Sequence, residues 1–151
     1  IFWDDEIDNY STGFTPAFLL SNSCDITVGN VRGINQKQGL FAPIVKLSEF
    51  ISDCRESGEF SEPQIIDFLS SLKRQELTNL FYLPQIPGRD DEYMVRFDMI
   101  FWVPNAKIEE LQNNIGQNRL KSLSHWGHIL FLVKYSFHSC RVPETLERPY
   151  N

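Results

Sequence analysis

A thiol and a carboxylate stand side by side in the turn Ser21-Asn22-Ser23-Cys24-Asp25, directly behind the apolar run over residues 16–21. A cysteine at the end of a buried strand becomes a nucleophile when a histidine or a helix N-terminus lowers its pKa. The plainer reading makes Cys24 a small buried residue and Asp25 a turn former, and local composition favours it. His125 and His128 fall at i, i+3, which brings two imidazoles to one side of a helix. With His138 and a carboxylate they would make a metal set, but the familiar zinc pair is i, i+4 around a glutamate, and here Trp126 and Gly127 intervene. Structural or solvent-facing histidines are therefore the expectation, and no metal or cofactor is predicted. Asp4, Asp5, Glu6 and Asp8 would suit a divalent cation, yet they lack the glycine-anchored spacing of a calcium loop and read as a solvated turn. No Walker loop, GxGxxG or GxSxG occurs, so nucleotide and serine-hydrolase readings lack their usual warrant.

The remaining constellation is a surface. Arg96 and Asp98 project from the polar side of a strand, with Arg89 and Arg119 as further cations. A groove lined by Arg96, Tyr82, Tyr93, Trp102 and Arg119 would take a peptide or an extended nucleic acid by stacking and a charged clamp. Its plain alternative is a strand-face ion pair beneath a helix.

These residues depend on elements whose signals are local. Short strands are expected at 1–3, 16–21 and 40–47, the last interrupted or bounded by Pro43. Ser48 reads as the cap of a short helix ending before Gly58. Ser61, Pro63 and Gln64 then announce a second helix reaching about Leu77, with a capping box at its start. Strand 81–84 leads to a long alternating strand over 93–103, ended by Pro104. A helix over 106–115 stops at Gly116. The longest helix, from Arg119 to about Ser139, sets Leu130, Phe131, Lys134 and Phe137 on or near its core-facing side. Residues 142–151 read as an irregular tail. Strands outnumber what a parallel α/β sheet needs, so the expected class is α+β in a single domain. Its sheet is small, antiparallel and strongly bent, or closed as an SH3-like barrel with covering helices.

The opening Ile1-Phe2-Trp3, the polar loop with Gly13, the run Thr15-Pro16-Ala17-Phe18-Leu19-Leu20-Ser21 and Ala42-Pro43-Ile44 resemble the first third of the MazF/PemK-like toxin barrels. The resemblance implies a barrel and, in its active members, RNA cleavage. That family's arginine ahead of the proline corresponds to Thr15, and its threonine after Pro-Ile to Val45. The resemblance therefore implies the fold without the cleavage chemistry. Ser21-x-x-Cys24-Asp25-Ile26 with Arg119-x-x-x-Leu123-Ser124 is similar to bacterial proteins of defence-related neighbourhoods, which carries no activity.

Composition sets the outer bounds. The chain has 151 residues, 42% hydrophobic and 13% aromatic, with 20 acidic against 14 basic side chains and a net charge of −6. Folding buries roughly 69% of the extended chain's surface at this length, enough for one core. A net negative charge disfavours nucleic acid, because phosphate binding draws on counterion release from a basic face. Three cysteines without a CxxC pair point to reduced thiols and a cytoplasmic setting. The longest apolar run, 129–133, is far shorter than the ~20 residues of a membrane helix, and no basic-then-apolar leader opens the chain. A chain opening on Ile1 rather than Met is expected to be a trimmed one, or one ordered only from within its first strand onward. The expected function is a non-catalytic domain of a bacterial system that binds another protein. An RNA-binding or ribonuclease barrel, and a thiol enzyme using Cys24, are the alternatives.

Overall fold

The computed structural model describes residues 2–4, 9–11, 16–21, 38–84, 91–104, 107–108, 110 and 122–140, with the backbone alone for 2–4 and 9–11. Strands β1 (Phe2–Asp4) and β2 (Asn9–Ser11) pair with each other. The main sheet is antiparallel and five-stranded, built from β3 (Ala17–Leu19), β4 (Gln38–Lys46), β5 (Leu80–Leu83), β6 (Tyr93–Arg96) and β7 (Phe101–Pro104). Its order is β3-β4-β6-β5, with β7 also on β4. The class is α+β with a bent sheet, and the sheet is open, so the barrel is not formed. One physical reason lies at the rim of β5. There the Gln75 side chain donates Nε2 to the Tyr82 carbonyl at 2.8 Å and accepts the Tyr82 N–H at 3.2 Å, so that peptide's bonding groups are taken.

Residues 93–103 are not one strand. Between β6 and β7 a 3-10 turn, Phe97–Met99, leaves the ladder. The cause sits opposite. On β4, Leu40 and Ile44 bond toward β3, so Pro43 faces the other rim. There the pairing of β6 with β4 ends with Val95 opposite Ile44, and β7 begins with Phe101 opposite Phe41. A proline has no N–H to offer a ladder. The partner strand departs where the donor is missing, and Pro43 lies within β4 rather than at its boundary.

Helices α1 (Leu47–Ser57) and α2 (Glu62–Lys73) cover one face of the sheet, and α3 (His125–Ser139) the other. Leu47, Ile51, Ile65 and Leu72 pack with Leu80 and Met94 on the first face. On the second, Phe131 packs with Ala42, Phe81, Val95 and Phe97. Burial on both faces explains why β6 reads Tyr-Met-Val without a polar alternation. A third cluster joins Val103 and Ile108 to Leu19, Phe41 and Phe101 at the far end.

Some helix ends fall where their local signals put them and others do not. α1 starts one residue ahead of Ser48 and stops at Gly58, whose φ of 67° is left-handed. That position favours glycine because it carries no Cβ. Gly58→Ala is expected to cost about 1 kcal/mol in urea unfolding although the site is spacious, and an unchanged midpoint would refute the backbone argument. Gln64 Oε1 accepts the Ser61 N–H at 2.9 Å, as the capping pattern requires. α2 ends at Lys73 rather than near Leu77, because Gln75 turns left-handed at φ 61°. α3 starts at His125, not Arg119, since the Ser124 hydroxyl caps it by accepting the Gly127 N–H at 3.2 Å. Of the helix expected over 106–115, Lys107, Ile108 and Glu110 are helical and the rest lies outside the described residues.

Candidate functional site

Cys24, Asp25, Arg89, Arg119 and Thr15 lie outside the described residues, as do Asp5, Glu6 and Asp8. The four described groove residues are not brought together. Leu83 stands opposite Tyr93 and Tyr82 opposite Met94, so the alternation of a strand sends the two tyrosines to opposite faces. Tyr93 is buried in the core beneath α3. Tyr82 lies on the α1/α2 face, where its hydroxyl donates to Glu92 Oε1 and Lys73 Nζ stands 5.9 Å from its ring centroid. Burial, followed by the hydrogen bond to Glu92, pushes the Tyr82 phenol up to about 12. Lys73 bonds Glu92 Oε2 at 2.8 Å and, with Tyr82, holds that carboxyl below its ordinary range. Arg96 is engaged by a fork, Nε to Asp98 Oδ1 at 3.1 Å and Nη2 to Oδ2 at 2.6 Å, which keeps the Asp98 carboxyl low. The guanidinium is thus committed to its own turn. Trp102 is 52% exposed and stands opposite Leu40 at the far end of the sheet.

His125 and His128 are exposed on the first turn of α3, with the His125 ring against Trp126. His138 packs on Phe97 ten residues further along, about 15 Å of helix rise from His128, so it cannot complete a set with them. Among the described residues no three His, Cys, Asp or Glu side chains gather as a metal set. Cys54 is half-buried beside Ile51, and burial pushes its thiol up, away from the reactive thiolate.

Sequence reasoning set Lys134 on or near the inner side of the last helix but gave its charge no role. Lys134 is 7% exposed, and its ammonium donates to the Gln75 carbonyl at 2.7 Å, Gln75 Oε1 at 3.2 Å and the Leu77 carbonyl at 2.7 Å. Three donors meet three acceptors, so burial is satisfied for the charged form. Burial nevertheless pulls the ammonium down to about 8. The ammonium ties α3 to the connection between α2 and β5, 57 and 59 residues away in sequence. Its role is a clamp.

The feature that remains unspent is the outer side of α3. Trp126 is 78% exposed, Phe137 69%, Val133 45% and Leu130 42%. At 100° per residue these four fall within one narrow stripe, flanked by exposed Ile129. Leu130 and Phe137 therefore point away from the core, contrary to the expectation that they share its face. α3 carries apolar residues around most of its circumference, so periodicity alone does not disclose its inner side. Single exposed apolar residues are ordinary, whereas a contiguous apolar stripe is uncommon on the surface of a monomer. No helix among the described residues is long and apolar enough to cross a membrane. No family model matches the chain, and neither a curated protein nor a solved structure matches it.

Proposed function

We propose that this chain is a non-catalytic protein-interaction domain of a bacterial multi-protein system, engaging its partner through the outer stripe of α3. The observation that carries the reading is the exposure of Trp126, Leu130, Val133 and Phe137 in one line on a helix. Aromatic side chains with aliphatic neighbours are the composition of interface cores. The polar candidates speak the same way, because Arg96, Glu92 and Lys134 are each engaged by partners within the fold.

A photo-crosslinking residue at position 137 tests this directly. In cells it is expected to give a protein adduct, and Leu130→Asp in the same chain is expected to reduce the adduct at least tenfold. Leu130 already faces water in part, so the thermal midpoint of Leu130→Asp should stay close to wild type. Absence of adducts from positions 126, 133 and 137 alike would overturn the reading.

A further inference from the structure

The stripe on α3 also constrains what can sit on it. Leu130 and Val133 flank its midpoint, with Trp126 four residues before the first and Phe137 four after the second. The order aromatic, aliphatic, aliphatic, aromatic therefore reads the same from both ends. Resting on the interaction reading above, we propose that the occupant is a second copy of this chain, its α3 laid antiparallel on the first about a two-fold axis between Leu130 and Val133. Trp126 of each copy then meets Phe137 of the other, and Leu130 meets Val133. Such an isologous contact requires a surface complementary to itself, which this spacing supplies.

Charge and area are compatible with that occupant. Two chains of net charge −6 repel each other over most of their surfaces, and like charges brought face to face are costly. Within α3 the only Asp, Glu, Lys or Arg is Lys134, which faces inward and is 7% exposed. This is a surface on which two acidic copies meet without opposing charges. The exposed apolar side chains offer on the order of 600 Å² per copy, against about 800 Å² per partner in a standard interface. A reversible dimer in the micromolar range is the corresponding strength.

Sedimentation equilibrium of the wild-type chain from about 1 to 100 µM is expected to show the mass rising toward twice 17.6 kDa, and Val133→Asp to remain at 17.6 kDa throughout. Orientation is read from oxidative crosslinking in a chain with Cys24, Cys54 and Cys140 changed to Ser. A mixture of Leu130→Cys and Val133→Cys chains should couple to each other several-fold faster than either couples to itself. Faster coupling of Leu130→Cys to its own kind would replace the antiparallel arrangement with a parallel one and overturn the proposal. If the serine background is unstable, the sedimentation arm decides alone. A wild-type chain that stays monomeric at 100 µM sinks self-pairing. Should the photo-adduct at position 137 then contain a different protein, the interaction reading stands; should there be no adduct, both fall together.

Discussion

Lys134→Ala is expected to lower the unfolding free energy by about 3 kcal/mol at pH 7, and Lys134→Met by only about half of that. Alanine removes the buried stem along with the ammonium, so it leaves a cavity and takes the donor from the Gln75 carbonyl. Methionine fills the stem's volume and no longer has to desolvate a charge, which offsets part of the lost bonding. The Leu77 carbonyl suffers less in either variant, since it also accepts the Leu80 N–H at 3.3 Å. The pH dependence separates the clamp from simple packing. The folded-state value is about 8 against an ordinary 10.5, so between these values the unfolded chain binds more protons and wild-type stability rises with pH. Lys134→Met removes that rise, so its deficit relative to wild type grows from pH 8 toward 10. Tyr82 has the opposite sign, because its folded value is raised to about 12 and its contribution is lost as pH rises above 10. Urea unfolding at pH 7, 8, 9 and 10 checks the Lys134 part, and a further point at pH 11 checks Tyr82. A constant difference between wild type and Lys134→Met across the series would exclude a depressed ammonium.

Phe131→Ala is expected to cost about 4 kcal/mol. The Phe131 ring stacks on Phe18 at a centroid distance of 4.2 Å and meets Phe81 and Phe97 edgewise at 5.3 and 5.5 Å. It is the point at which α3 meets the edge strand β3, the opposite edge strand β5 and the 3-10 turn, so its removal opens a void bordered by three elements. Phe137→Ala on the outer side of the same helix should change monomer stability by less than about 0.5 kcal/mol. Measured at about 1 µM, at the low end of the range over which self-pairing is proposed, comparable losses for the two variants would mean that the inner and outer sides of α3 have been assigned wrongly.

What could be read beforehand was local chemistry. Gly58 as a left-handed stop and the Ser61–Gln64 pair need only their neighbours, and both stand as the residues implied. Ser124 carried the same kind of signal for α3, masked by the apolar residues ahead of it. The alternating stretch 93–103 looked continuous because nothing within it breaks a strand. The break answers to Pro43, fifty residues upstream and across the sheet. The groove was drawn from residue types, whereas the parity that sends Tyr82 and Tyr93 to opposite faces is set by how β5 and β6 pair. Lys134 lay plainly in view, but its acceptors belong to a turn far away in the chain. The outer stripe was the hardest to see, because a helix apolar nearly all round shows which side is spare only after the sheet has claimed the other.

The amide of Gln75 also bears on how this molecule avoids growing. The outward backbone groups of a terminal strand are a template on which an unrelated or unfolded chain can lengthen a sheet, the first step toward fibres. In β5 the Tyr82 peptide is satisfied by a glutamine side chain and the Leu80 N–H by the Leu77 carbonyl, so an incoming chain finds no vacant donor at either residue. A single side chain thereby acts as a stopper on accretion along that margin.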